Sequence, residues 1–213
     1  MIDAANYYEW PRTEILKFVP DNVKTTLDIG CGQGTFSAAL KEKFNANTWG
    51  IEPVTAMAKI AETKLDKVLC GLFDEVYDEL PESYFDCAFC NDVLEHMWEP
   101  EEVLKKLKKN LKPNGRVIAS IPNFRFLGNL KHILLQKDWK YANAGILDRT
   151  HMRFFTKKSM ERMFLECGYE IELIEGINTD KRWRFKLFKF LALGLLSDTL
   201  SVQYLIIAKP VVK

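Results

Sequence analysis

Apolar residues fall in short β-rich runs that alternate with segments of helical period along most of the chain, the pattern of βαβ units and a mostly parallel sheet. The spacing predicts a helix over 11–19, a strand over 25–29, a glycine turn and a helix over 36–44. A strand over 47–52, a helix over 54–64 and a short strand at 68–70 follow. YFDCAFCN at 84–91 reads as a fourth strand, and Val103, Leu104, Leu107 and Leu111 mark an amphipathic helix over 99–110. Pro113-Asn114-Gly115 is a turn signal before the near-continuous apolar strand RVIASIP at 116–122. Residues 123–155 show only weak periodicity, which suits an acceptor-side insertion acting as a lid or binding loop. A helix over 156–167 ends at Gly168, YEIELIE at 169–175 alternates as a strand, and LSVQYLIIA at 200–208 forms a last strand.

The 213 residues carry no repeat, low-complexity segment or linker, so a single domain over 1–213 is expected. Thirty Lys+Arg against 29 Asp+Glu leave a net charge of +1, without the basic footprint of a nucleic-acid binder. With 47% hydrophobic residues the chain is no disordered segment. Five cysteines, an odd number without framework spacing, suit free thiols in a reducing compartment. MIDAANYYEW has neither a basic nor an apolar leader region, and the longest apolar stretch, 185–196, contains Lys186 and Lys189. A soluble, cytoplasmic protein is predicted.

The chemistry begins at Leu27-Asp28-Ile29-Gly30-Cys31-Gly32-Gln33-Gly34-Thr35, between a predicted strand and a predicted helix, the context that makes a glycine motif meaningful. Glycines let a ligand approach the backbone, and helix N-terminal amides face its anionic group. Glu52 closes the next strand and can accept hydrogen bonds from both hydroxyls of a ribose. A dinucleotide site prefers G-x-G-x-x-G, whereas Thr35 holds the sixth position here. Asp28 would repel a pyrophosphate but suits the ammonium of an amino-acid moiety, which favours S-adenosylmethionine. No G-K-[ST] step is present for a mononucleotide kinase.

TLDIGCGQGTF, GIEP, FDCAFCNDVLEH and LKKNLKPNGRVIASIPN, in that order, resemble the motifs of class I S-adenosylmethionine-dependent methyltransferases over roughly residues 7–176 and the final strand. The resemblance implies an α/β, Rossmann-like, seven-stranded and mostly parallel sheet, its last strand antiparallel, with helices on both faces. It implies that Asp28, Gly30, Gly32 and Gly34 surround the methionine end, that Glu52 meets the ribose and that Asn91 borders the cofactor. Tyr7, Tyr8 and Arg12 stand where relatives close over the cofactor, with Arg12 placed to meet its carboxylate. The family's frequent Gly-Asp step for the adenine amine is replaced by Gly71-Leu72, with Asp74 further on, which leaves Leu72 or Phe73 for backbone and apolar contacts.

Transfer to a hydroxyl needs a proton removed as the oxygen attacks, and the chain has three histidines. Asp92, Glu95 and His96 share one face of a helical turn, as in the ubiquinone-biosynthesis type of O-methyltransferase that the segment resembles. They are the weak candidates for a divalent cation such as Mg²⁺, which is not favoured. The expected catalytic residues are His151, within Asp148-Arg149-Thr150-His151-Met152-Arg153, and His96. The former segment resembles ones in bacterial methyltransferases that act on surface glycans and lipid-linked saccharides. His132, in an apolar run, reads as a packed or surface residue. Cys87 and Cys90 spell C-x-x-C but face opposite sides of a strand, which argues against zinc.

The expected acceptor is a small-molecule hydroxyl on a saccharide, a lipid-linked intermediate or a quinone precursor. The alternatives are an NAD(P)-binding oxidoreductase or epimerase, and a non-catalytic S-adenosylmethionine-binding module. Residues 181–196 read as a basic amphipathic helix with Arg182, Lys186 and Lys189 on one face. Its apolar face can cap the sheet, form a homodimer contact or lie in a membrane interface as a peripheral contact.

Overall fold

Two strands with apolar side chains on both faces set the middle of the sheet. In β4 (Phe85–Asn91) and in the second half of β5 (Leu111–Pro122), consecutive residues from Cys87 to Cys90 and from Val117 to Ile121 are buried. Neither side of such strands can face water, so helices must cover both. The computed structural model describes residues 11–179 and 196–211, and there the helices do so. Cys87, Phe89, Ile118, Leu205 and Ile207 pack against Phe36 and Leu40 of α1 (Thr35–Phe44) and against Ile15 and Val19. Ala88, Cys90, Val117, Ala119 and Ile206 point the other way, into a cluster with α3 (Phe73–Val76), α4 (Pro100–Leu107) and α6 (Lys157–Glu166). Phe89 meets Phe36 edge-to-face, with ring centroids 5.0 Å apart. The strand period thus puts Cys87 and Cys90 in different clusters, and all five cysteines are free.

The seven strands run in the order β3-β2-β1-β4-β5-β7-β6. β1 (Thr25–Ile29), β2 (Asn47–Glu52) and β3 (Lys67–Cys70) pair in parallel, as do β1 with β4 and β4 with β5. β7 (Ser201–Pro210) lies antiparallel between β5 and β6 (Tyr169–Thr179), so six strands share one direction and the last opposes them. The chain order reverses between β1 and β4, which opens a crevice at their carboxyl ends where ligands bind in such sheets. α2 (Thr55–Glu62) covers Cys31 through Ala61, with Leu65 beside it.

Three expectations change. The helix over 11–19 shrinks to a turn and a 3₁₀ segment, Leu16–Phe18, because Arg12 takes a left-handed backbone (φ 46°) and Pro20 follows. β5 begins at Leu111, and the Pro113-Asn114-Gly115 turn survives as an irregularity between the Phe85↔Leu111 and Cys87↔Arg116 pairs. The 123–155 insertion contains a helix, α5 (Leu127–Leu135). It was hidden from the periodicity because leucines and isoleucine surround it: Leu134 and Leu135 are exposed and Asn129 is its one buried residue. Behind α5, Trp139 stacks on Phe124 (5.2 Å) and Phe154 abuts Trp139 edge-on (5.4 Å), an aromatic knot that folds the insertion back on itself. Among the described residues no helix is long and apolar enough to cross a membrane. The predicted helix over 181–196 lies outside the described residues but for Leu196.

Candidate active site

The loop from β1 to α1 turns on left-handed glycines, with φ of 72° at Gly30, 55° at Gly32 and 73° at Gly34. Side chains resist that region, and space adds to the demand at Gly30, where a Cβ would fall 2.8 Å from Val93 Cγ2. The amides of Gly30 and Cys31 both donate to the Ile51 carbonyl, at 2.8 and 3.0 Å, tying the loop to β2. Glu52, 4% exposed, completes the tie: Oε2 accepts from the Gly32 amide at 2.8 Å and Oε1 from the Val54 amide at 2.9 Å. The sequence marked Glu52 for a ribose. Its bracing of the very loop that forms the rest of the site had no signal in the sequence.

Asp28 is buried one residue before the end of β1, and Ser37 of α1 donates to its Oδ2 at 2.8 Å. Burial pushes its carboxyl up to about 7, helped by the charge of Glu52 and opposed by the Ser37 hydrogen bond and by Arg12. A carboxyl so placed is short of a cation, the demand that an ammonium group would meet. Asn91, at the end of β4, has a buried amide whose nitrogen and oxygen both lack a hydrogen-bond partner. Orphaned polar atoms at a crevice call for a ligand. The donors and acceptors present therefore fit S-adenosylmethionine.

Arg12 lies near enough to Asp28 for its charge to act on that carboxyl, and it is engaged within the protein as well. Its guanidinium is buried against the Asp92 carboxylate, donates to Ser120 Oγ at 2.9 Å and pairs with Glu14 at 2.9 Å. Burial lowers the pKa of Arg12, but Asp92 and Glu14 outweigh it and the net shift is upward. Gln203 also donates to Asp92, at 2.6 Å. These contacts engage the carboxylate of Asp92, itself left-handed at φ 53°, and the group gathered at Glu95 and His96 includes His151 in its stead. Tyr7 and Tyr8 lie outside the described residues.

What replaces Asp92 comes from far along the chain. The amides of Met152 and Arg153 donate to the Glu95 carbonyl at 2.8 and 3.0 Å, and Arg153 donates to the Trp98 carbonyl at 2.6 Å. These bonds dock the 148–155 loop on the 3₁₀ turn Leu94–His96. The His151 ring then meets the His96 ring edge-to-face at 4.7 Å, and His151 Nε2 lies 3.9 Å from Glu95 Oε1. Glu95 is 1% exposed with both carboxylate oxygens unpartnered; burial, then the charge of Asp92, holds its carboxyl well above the usual range. Burial and the neighbouring His96 lower the pKa of His151. The two expected catalytic histidines are thus one cluster. His132 is apart from it, exposed on α5 and 2.7 Å from Gln136 Oε1.

A family model described as a methyltransferase domain matches residues 4–174. The chain belongs to the methyltransferase-domain family, in its class I, S-adenosylmethionine-dependent form. The chain is 29% identical over 209 residues to a ubiquinone biosynthesis O-methyltransferase of Hydrogenovibrio crunogenus, a match covering 92% of this chain and 79% of that protein. It is 32% identical over 162 residues to a ubiquinone biosynthesis O-methyltransferase of Schizosaccharomyces pombe, spanning 72% of this chain but 58% of that protein. In fold it is similar to a SAM-dependent methyltransferase from Archaeoglobus fulgidus, with TM-score 0.72 at 19% identity, covering 95% and 94% of the two chains. The oxidoreductase alternative falls with this membership. In this methyltransferase the segment after β3 divides its side chains: Phe73 is buried in the core, Asp74 pairs with Lys106 at 2.6 Å, and Leu72 stands 58% exposed. Leu72 is the side chain left for an apolar contact there.

Proposed function

We propose that this methyltransferase moves the methyl group to a hydroxyl oxygen of a small-molecule acceptor that lies against Glu95, His96 and His151. The observation that carries the reading is the convergence of His96 and His151, from two segments distant in sequence, beside the end of β4. S-adenosylmethionine supplies a methyl on sulfonium sulfur; the acceptor oxygen forms the new bond to carbon as the carbon–sulfur pair returns to sulfur, and one proton leaves the hydroxyl. Placing oxygen, carbon and sulfur in line is the larger part of the task, and Glu52, Asp28 and the glycine loop hold one end of that line. The proton needs a nearby base or an acidified oxygen, and either route runs through the histidine cluster. Both relatives bear the name of an O-methyltransferase of ubiquinone biosynthesis, which favours a phenolic quinone precursor over a saccharide or a lipid-linked intermediate.

The test is methyl transfer from isotope-labelled S-adenosylmethionine to panels of phenols, saccharides and amines, with products read by mass spectrometry and NMR. An O-methyl product is expected. Methylated amines alone would overturn the hydroxyl reading, and binding without turnover on any acceptor would favour a sensing module. His151→Ala should slow transfer by about 10²–10⁴-fold with S-adenosylmethionine affinity kept; equal loss of both would make the loop structural.

A further inference from the structure

The two imidazoles beside the end of β4 are held from behind by different means. His151 Nδ1 lies 3.1 Å from the Ile146 carbonyl, which can only accept, so Nδ1 carries the proton and Nε2 keeps its lone pair. Behind His96 stands Thr150, with its carbonyl and its hydroxyl both 3.2 Å from Nδ1. A hydroxyl can donate as well as accept. If it donated to Nδ1, the ring proton would move to Nε2 and the lone pair there would be lost. Asp148 decides the direction. Its Oδ1 accepts from the Thr150 amide at 2.8 Å and from the Thr150 hydroxyl at 2.6 Å, so the one hydroxyl proton is already spent. Burial raises the pKa of Asp148, but the Thr150 bonds and the nearby imidazoles outweigh it, and the net downward shift keeps the carboxylate an acceptor. His96 Nδ1 therefore faces two acceptors and donates, which leaves the lone pair on Nε2.

We infer that Asp148 is a positioning residue of the methyl transfer: through Thr150 it fixes the His96 tautomer whose Nε2 can take the proton of the acceptor. A base has to present a lone pair to the proton it removes, and the bond made by one ring nitrogen sets the state of the other. The carbonyl behind His151 cannot change direction, whereas the hydroxyl behind His96 can, so only His96 needs such a selector. Asp148 and Thr150 belong to the loop whose Met152 and Arg153 amides dock on the Glu95 carbonyl. The docked loop thus sets the proton of a histidine on the 3₁₀ turn that receives it. Both Thr150 bonds end on a single oxygen of Asp148. The amide oxygen of an asparagine can accept both, while alanine frees the hydroxyl to donate to His96. The link to the acceptor proton rests on the hydroxyl reading above; the tautomer does not.

The experiment is nitrogen-15 NMR of full-length protein with labelled histidine, at a pH where the rings are neutral, with His96 assigned from a His96→Gln sample. The proton is expected on His96 Nδ1 in the parent and in Asp148→Asn. In Asp148→Ala the signals should move toward the Nε2–H form. Adding Thr150→Val to Asp148→Ala should return them, because only the carbonyl then stands behind the ring. Methylation of a phenol should fall in kcat by at least about tenfold in Asp148→Ala and stay near the parent rate in Asp148→Asn. S-adenosylmethionine affinity by calorimetry should hold in all three variants. A parent His96 protonated on Nε2 overturns the inference, as does an Asp148→Ala protein that binds S-adenosylmethionine normally and keeps the parent tautomer. If Asp148→Ala fails to fold, an Asp148→Asn protein with the proton on Nε2 overturns it equally. A tautomer that moves in Asp148→Ala without a loss of kcat removes the role in transfer. The expected tautomers with no O-methyl product from any acceptor would uphold the selector and overturn the hydroxyl reading instead.

Discussion

The glycine-loop edge and the edge proposed for the acceptor lie side by side at the carboxyl ends of β1, β2 and β4, yet they are built in opposite ways. On the cofactor side the glycine loop, Asp28 and Ser37 fall within ten residues of sequence, and Glu52 arrives through the neighbouring strand β2. On the acceptor side Glu95 and His96 wait on a loop from more than fifty residues away, and Asp92 is held by Arg12 from 80 residues before it. A site made of local turns is legible as a motif. One made by docking loops is specified by backbone hydrogen bonds that any side chain can make, such as those of Met152 and Arg153 to Glu95, and these leave no pattern.

The comparison breaks most sharply at Glu52. Glu52→Ala removes two charge-assisted bonds, of about 1.5–3 kcal/mol each, so S-adenosylmethionine affinity should fall by more than a hundredfold in calorimetry. Arg12 tests the acceptor side next. Arg12→Ala strands Asp92 in a buried place and should cost about 3 kcal/mol in denaturant melts, whereas Arg12→Met with Asp92→Asn should restore much of it. Equal loss in both would remove the ion pair as the cause.

A smaller effect follows from Asp28. Its carboxyl titrates at about 7 in the folded chain against 3.8 in its unperturbed form, so between those values the folded state keeps a proton that the unfolded state has released. Stability from this group is therefore greatest below about pH 4 and declines as pH rises toward 7. A ligand ammonium selects the ionised form, so S-adenosylmethionine binding should release a proton below pH 7 and tighten by up to about tenfold per pH unit until then. Calorimetry in buffers of different ionisation heat measures that proton, and Asp28→Asn should abolish it. The smallest change is expected of exposed Leu72. Leu72→Ala should weaken S-adenosylmethionine binding only several-fold, by about 1 kcal/mol of lost apolar contact, with the melting temperature unmoved.

The boundaries of β1 and β2 match the alternation and apolar runs of the sequence residue for residue, because a strand buried between helices admits few other patterns. The motif Asp28 to Gly34 was equally plain, since only glycine accepts those left-handed turns without strain. α5 was not, because a helix ringed by apolar residues has no period to read. By itself the sequence determined the sheet and the glycine loop, and it marked the candidate residues of the site. Tertiary structure decided their company: it gave Asp92 to Arg12, Glu52 to the Gly32 amide, and His151 to Glu95 and His96. Local sequence sets backbone conformation over a few residues, while the partner of a buried charge is chosen by whichever distant group the completed packing brings within reach.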